Sequence, residues 1–193
     1  MQMDVIKNSL YTTVTTHDFD DVNYINKLIA LDIGMELAFL TGMSISFNSD
    51  AYKNDLLALN QELTTFKKFF IQFNIPLEKI RIHQPGGYMY HWYGDNQVSG
   101  YSQLKSFFSY CSELGFSNYV IHTPYGSTNN DSNFELNDYR EKLANLAPVG
   151  TLEVEEILVS NTELQGNKTL RFYSGKLFEQ LMENSKATML LDV

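Results

Sequence analysis

Four short apolar segments, each ending on a histidine or an acidic residue, constrain what this chain can fold into. They are Ile80–His83, Tyr119–His122, Leu152–Glu155 and Met189–Asp192. Buried strands bring polar end residues into a shared cavity when they run parallel with their carboxyl ends together, as in α/β barrels and open α/β sheets. Two histidines, a glutamate and an aspartate at such an edge predict a divalent-metal cluster of His83, His122, Glu155 and Asp192.

Helical patterns separate these strands along the chain. The clearest helix is predicted over residues 51–73, where apolar residues recur at spacings of three and four: Leu56, Leu59, Leu63, Phe66, Phe70 and Phe73. A short helix is predicted from about Asp21, with Val22, Ile25, Leu28 and Ile29 on one face. Further helices are expected over 101–114, 134–146 and 170–181, and further strands over 5–14 and 35–40.

This order of elements predicts a single α/β domain over residues 1–193, built as a (β/α)8 barrel from a β/α unit that recurs about six times. A closed barrel needs eight units and about 250 residues, so we expect this chain to lack the last two β/α units. The connections after strands three, four and five are long, whereas those that lead into the strands are short. Long loops on one rim are expected where a barrel carries its site.

Charge and apolar content exclude several classes of partner. The net charge of −9 and pI near 4.8 argue against a general affinity for nucleic acid or an anionic membrane, since both need a basic face. The single cysteine, Cys111, excludes an intramolecular disulfide and is expected to be a core thiol. No segment approaches the roughly 18 apolar residues of a membrane span, and we therefore expect a soluble, cytoplasmic protein.

Each candidate site residue also has a structural interpretation. Strand alternation puts Glu153 and Glu155 on one face, so Glu155 could be a surface residue instead. A lone buried histidine is usually held by backbone hydrogen bonds, but two histidines in equivalent strand positions, each followed by X-Pro, favour function. The loop after the third strand either walls a substrate pocket or packs on the neighbouring helix, and its candidate binding residues are Tyr88, His91 and Trp92.

Short motifs lie where each predicted strand begins or ends. They are Leu31-Asp-Ile-Gly-Met-Glu-Leu37, Ile82-His-Gln-Pro85, Ile121-His-Thr-Pro124, Leu152-Glu-Val-Glu155 and Leu190-Leu-Asp-Val193. In order and spacing they resemble the xylose isomerase-like superfamily of barrels, which holds sugar isomerases and epimerases together with endonuclease IV (AP endonuclease family 2). The resemblance covers most of the chain, although each motif is short.

The resemblance implies roles for the four strand-end residues. Glu155 and Asp192 correspond to metal ligands in both branches of the superfamily. His83 and His122 correspond to metal ligands in the endonuclease IV branch, whereas in the sugar branch these positions more often line the substrate pocket.

The chain also departs from the superfamily pattern. Glu156 follows Glu155 where the family commonly has asparagine, and the sequence ends at Val193 where a Gly-His pair would follow. The histidine and glutamate that strands seven and eight would add have no counterpart. We therefore expect a weak or incomplete catalyst.

Three functional hypotheses follow. The first is a metal-dependent isomerase or epimerase of a sugar or sugar phosphate, in which Mn²⁺, Mg²⁺, Co²⁺ or Zn²⁺ polarises a carbonyl and Glu155 is both ligand and proton carrier. The second is a zinc phosphodiesterase like endonuclease IV, with His83 and His122 on the metal. The third is a non-catalytic or truncated barrel homologue that pairs with another subunit, because a six-strand barrel exposes two strand edges.

Overall fold

The computed structural model describes residues 10–40, 49–85, 97–122, 125–127, 136–146, 151–155, 168–170 and 188–190. Their strands are β1 (Tyr11–Val14), β2 (Gly34–Leu37), β3 (Ile80–His83), β4 (Asn118–His122), β5 (Tyr125–Ser127), β6 (Thr151–Glu155), β7 (Lys168–Leu170) and β8 (Thr188–Leu190). Their α-helices are α1 (Val22–Ala30), α2 (Ser49–Phe73), α3 (Gln97–Glu113) and α4 (Leu136–Ala144).

Six of these strands form one parallel sheet in the order β1-β2-β3-β4-β6-β8. Parallel neighbours need crossover connections, and the four helices lie in the connections that link β1, β2, β3, β4 and β6 in turn. The described residues therefore form a mixed α/β fold, which confirms the predicted class at this level. The arrangement is compatible with part of an α/β barrel.

The apolar stripe predicted for α2 is buried against the sheet. Leu59, Leu63, Phe66 and Phe70 are fully buried, and Leu56 and Phe73 pack partly buried against the same core. Phe19, from the 3-10 turn Thr16–Asp20, stacks on Phe69 with ring centroids 4.8 Å apart. No helix among the described residues is both long and apolar enough to cross a membrane.

Helix α1 is only partly as expected. Asp21 caps it by accepting a hydrogen bond from the Tyr24 amide, and Ile25 and Leu28 are buried. Val22 and Ile29, predicted for the same apolar face, are instead exposed. The apolar face of this short helix is therefore narrower than the spacing suggested, because only its central stripe meets the core.

Left-handed residues end the helices that lead into β2, β3 and β4. Asp32, Asn74 and Gly115 have φ values of 57°, 53° and 96°. In each case the next amide donates back to a carbonyl five residues earlier, which is the Schellman pattern. These compact ends explain the short turns into the strands.

One predicted element differs in the structure, and parts of two predicted elements lie outside the described residues. Leu170, expected to begin the last helix, lies in β7, where it pairs with Tyr125 of β5 in an antiparallel ladder. The periodicity missed this because strands of three residues are too short to carry a pattern. Residues 5–9 of the predicted first strand and 171–181 of the predicted last helix lie outside the described residues.

The core thiol and one core phenol lie at the centre of the helix-facing layer. Cys111 is a free, buried thiol, and burial raises its pKa well above the usual value. Tyr119 is also fully buried, and its hydroxyl donates a 2.8 Å hydrogen bond to the Phe116 carbonyl. Burial, with a smaller contribution from Cys111, raises the pKa of Tyr119 far above the usual value of a tyrosine.

The raised pKa of Tyr119 predicts a specific loss of stability in alkali. Stability from the neutral phenol is complete below about pH 10 and falls as pH rises further, because the unfolded tyrosine ionises first. In urea titrations at about pH 8 and about pH 11, wild type should lose more unfolding free energy than Tyr119→Phe. Parallel losses in the two proteins would contradict this assignment.

Candidate functional site

The two faces of the parallel sheet differ in polarity. On β3, Ile80 and Ile82 are buried against the helices, while Arg81 and His83 alternate with them and are only partly buried. On β4, Tyr119 and Ile121 belong to the helix-facing core, whereas His122 does not. Strand alternation sends every second side chain to the face away from the helices. That face is polar because Arg81, His83 and His122 occupy such positions.

The polar face brings His83 and His122 into contact at the carboxyl ends of β3 and β4. Their ring centroids are 4.7 Å apart, and the rings meet edge to face at 66°. Both side chains are partly buried. The strand-end arrangement inferred from the sequence thus brings these two imidazoles together.

Gln84 fixes the positions of both histidines. Only 1% of this residue is exposed; its amide donates to the Val120 carbonyl at 2.8 Å, and its side-chain Oε1 accepts from the His122 amide at 3.0 Å. The Gln84 carbonyl lies 2.8 Å from Nδ1 of His83. A carbonyl can only accept, so Nδ1 carries the hydrogen and the neutral ring keeps its lone pair on Nε2.

A partly buried ion pair lies beside the histidines on the same face. Nη2 of Arg81 is 2.9 Å from each carboxylate oxygen of Glu153, and these side chains are only 14% and 19% exposed. The Tyr11 ring covers the guanidinium, whose central carbon is 3.6 Å from the ring centroid. Burial raises the pKa of Glu153, and the Arg81 charge and hydrogen bond act in the opposite direction.

Gly34 makes room for the Tyr11 ring. The two residues pair in register on β2 and β1, and a Cβ at Gly34 would overlap the ring atoms of Tyr11. Only a residue without a side chain lets the ring lie across β2 and reach Arg81 on β3. The glycine is therefore part of the arrangement that covers the guanidinium.

A further polar row lies toward the amino ends of the strands. The Thr151 hydroxyl donates to Oδ1 of Asn118 at 2.8 Å, and Nδ2 of Asn118 contacts the Ile80 carbonyl at 3.3 Å. These bonds tie β3, β4 and β6 together. The polar face thus carries Asn118 and Thr151 toward the amino ends and the two histidines at the carboxyl ends, and the Arg81–Glu153 ion pair spans β4 on the same face.

The other predicted site residues lie in β6 or outside the described residues. The backbone of Glu155 pairs with His122 across β4 and β6, and with Leu190 across β6 and β8. Asp192, Tyr88, His91 and Trp92 lie outside the described residues. Among the described residues, no group of three or more His, Cys, Asp or Glu side chains is arranged to hold a metal ion. The four-residue cluster therefore stays a prediction.

Sequence reasoning gave no role to Gln84, Arg81 or Glu153. A usable signal was present, because Arg81 stands two residues before His83, and Glu153 stands two residues before Glu155. Residues spaced by two share a face, so the charges were bound to lie on the site side of the sheet. Gln84 had no such signal, since its contacts depend on how β3 and β4 pair.

Comparison with known proteins adds no family assignment. The sequence matches no protein-family model, and no curated protein matches it. The superfamily therefore remains an inference from the strand-end motifs.

The contact between Gly34 and Tyr11 predicts a strong coupling. Gly34→Ala should lower the unfolding free energy by about 1–3 kcal/mol, because the new methyl group displaces the Tyr11 ring from Arg81. In a Tyr11→Ala background the same substitution should cost less than about half as much. Urea denaturation of the four proteins measures this, and an equal cost in both backgrounds would contradict it.

Proposed function

We propose that this chain is a metal-dependent isomerase or epimerase of a sugar or sugar phosphate, built on an α/β barrel of the xylose isomerase-like type. The observation that carries the proposal is the His83–His122 contact at the carboxyl ends of adjacent parallel strands, with the backbone of Glu155 in register beside His122. Carboxyl ends of parallel strands are where α/β barrels and open α/β sheets hold their sites.

The chemistry of the histidines suits a divalent cation. The hydrogen bond to the Gln84 carbonyl holds His83 with Nε2 as the lone-pair nitrogen, the form in which imidazole binds a metal. Strand alternation assigns Glu155 to the face of Glu153 and the histidines. With Asp192, which follows β8 in the sequence, these residues would form a nitrogen and oxygen ligand set that fits Mn²⁺, Mg²⁺, Co²⁺ or Zn²⁺.

In this proposal the residues of the chain divide the work between binding and proton transfer. A bound divalent ion supplies Lewis-acid polarisation of the substrate carbonyl. Glu155 takes or returns the proton on the carbon beside that carbonyl. Tyr88, His91 and Trp92 wall the sugar pocket, as expected for aromatic rings that pack on a sugar while keeping polar groups near its hydroxyls.

The second candidate is a zinc phosphodiesterase like endonuclease IV. The contact between two imidazoles favours it specifically, since the matching histidines bind metal in that branch and imidazole suits zinc. The net charge of −9 opposes it, because binding to a nucleic-acid backbone requires basic side chains. The isomerase proposal fits this charge without a further assumption. A cytoplasmic location and self-association remain predictions from the sequence.

Metal binding should depend on the two histidines. Calorimetric titration of the full chain with Mn²⁺ and with Zn²⁺ should give saturable binding, and His83→Ala and His122→Ala should each weaken it by at least about tenfold. The matched control is His17→Ala, because His17 is exposed and lies in the 3-10 turn Thr16–Asp20, outside β3 and β4. Binding that is absent in wild type, or equally weakened by all three substitutions, would refute the proposed metal site.

Turnover separates the two candidate functions. With Mn²⁺ or Co²⁺ added, the chain should convert members of a panel of ketoses and ketose phosphates slowly, and Glu155→Gln should abolish that conversion because it removes the proton carrier. Exchange of the substrate C–H proton with deuterated water reports the same step. Cleavage of DNA at an abasic site with Zn²⁺, without any sugar conversion, would instead support the phosphodiesterase.

A further inference from the structure

The Arg81–Glu153 ion pair occupies the position next to the candidate metal site. Arg81 precedes His83 by two residues on β3, and Glu153 precedes Glu155 by two residues on β6. Two residues of a strand span about 6.7 Å. The charges of Arg81 and Glu153 therefore act over a short distance, through a partly buried layer, on a cation bound at the histidines.

The guanidinium cannot turn away from this position. Both Glu153 oxygens hold it at 2.9 Å on one side, and the Tyr11 ring covers it on the other. Val120 lies on β4, between β3 and β6, and is fully buried. The positive charge of Arg81 is therefore held in a partly buried layer, where the effective dielectric is lower than in bulk water.

Fold stability alone does not account for this pair. Desolvation of two charges offsets much of their attraction, and apolar residues of similar volume are often at least as stabilising at such positions. Val120 demonstrates that this layer accepts an apolar side chain. The location of the pair, directly before two strand-end site residues, indicates a role in what those residues bind.

A third charged residue, Glu36, lies beside the Arg81–Glu153 pair. Glu36 on β2 pairs in register with Arg81 and alternates with the buried Met35 and Leu37, so it belongs to the same face. The charged side chains on this face, here called the charged row, are therefore the guanidinium of Arg81 and the carboxyl groups of Glu36 and Glu153. Without Glu153, only Glu36 would remain to offset the fixed charge of Arg81, and a divalent cation at the strand ends would be bound less strongly.

We propose that Glu153 is a positioning residue whose carboxylate balances Arg81, so that the strand ends can accept a divalent cation beside His83 and His122. This inference rests on the proposed metal site and deepens it. Metal binding would then depend on the balance of charge in the charged row as well as on the residues that bind the metal. Loss of Arg81 should therefore not weaken metal binding as loss of Glu153 does, whereas a purely structural pair would lose affinity with either partner.

The test is a set of Zn²⁺ titrations of the full chain. Glu153→Gln should weaken binding by at least about tenfold, because it removes the carboxylate that contacts Arg81 and leaves only Glu36 to offset the guanidinium near the cation. Arg81→Met should bind Zn²⁺ no more than about threefold more weakly than wild type, since it removes the repelling charge. The double variant should recover to within about threefold of wild type, because its row has the wild-type balance of charge.

A purely structural role predicts a different pattern of affinities. Loss of either partner would then weaken binding alike, and the double variant would be no better than Glu153→Gln. The matched control is Glu78→Gln, which makes the same change of charge at an exposed residue before β3 and should leave binding unchanged. Circular dichroism of each variant reports folding, and if Glu153→Gln does not fold, the comparison of Arg81→Met with wild type decides.

The outcomes separate this inference from the proposed function. Wild type that binds no Zn²⁺ overturns the metal site and this inference with it. Wild type that binds Zn²⁺, with Glu153→Gln equal to it or the double variant as weak as Glu153→Gln, overturns only the role given to Glu153. Recovery in the double variant supports the charge-balancing role.

Discussion

Parallel pairing of strands that are apolar on one face and polar on the other is the constraint on which the rest of this structure depends. The ladders from β1 to β8 align all carboxyl ends at one edge, and alternation separates Ile80 and Ile82 from Arg81 and His83. The apolar face needs helices to cover it, and α2 and α3 supply the aromatic layer that does so. The polar face is then left to carry the charges and the imidazoles.

Such a polar face must satisfy its own hydrogen bonds and charges, because burial makes each missing partner costly. Gln84 meets this requirement at the carboxyl end by linking β3 to β4 through backbone and side chain. Arg81 meets it in the middle by joining Tyr11 to Glu153. The Gln84 bonds also position His83 and His122, so structural and chemical requirements coincide at the edge of the sheet.

Much of the fold could be predicted from local patterns. The stripe of α2 and the strand-end histidines were correctly read, because periodicity and alternation follow directly from helix and strand geometry. The exposed Val22 and Ile29 and the strand position of Leu170 were not, since both depend on which neighbours are present. The contacts of Gln84 were out of reach for the same reason, because its partners lie on β4, far along the chain.

The sequence by itself determined that alternating strands and amphipathic helices would build an α/β sheet with histidines at its carboxyl edge, because those patterns are set by residue type and spacing. The tertiary structure alone decided that Arg81 would pair with Glu153 across β4, that Gly34 would let Tyr11 reach the guanidinium, and that Gln84 would hold two imidazoles in contact. These outcomes depend on which strands are neighbours and on how they align, and the partners lie far apart along the chain.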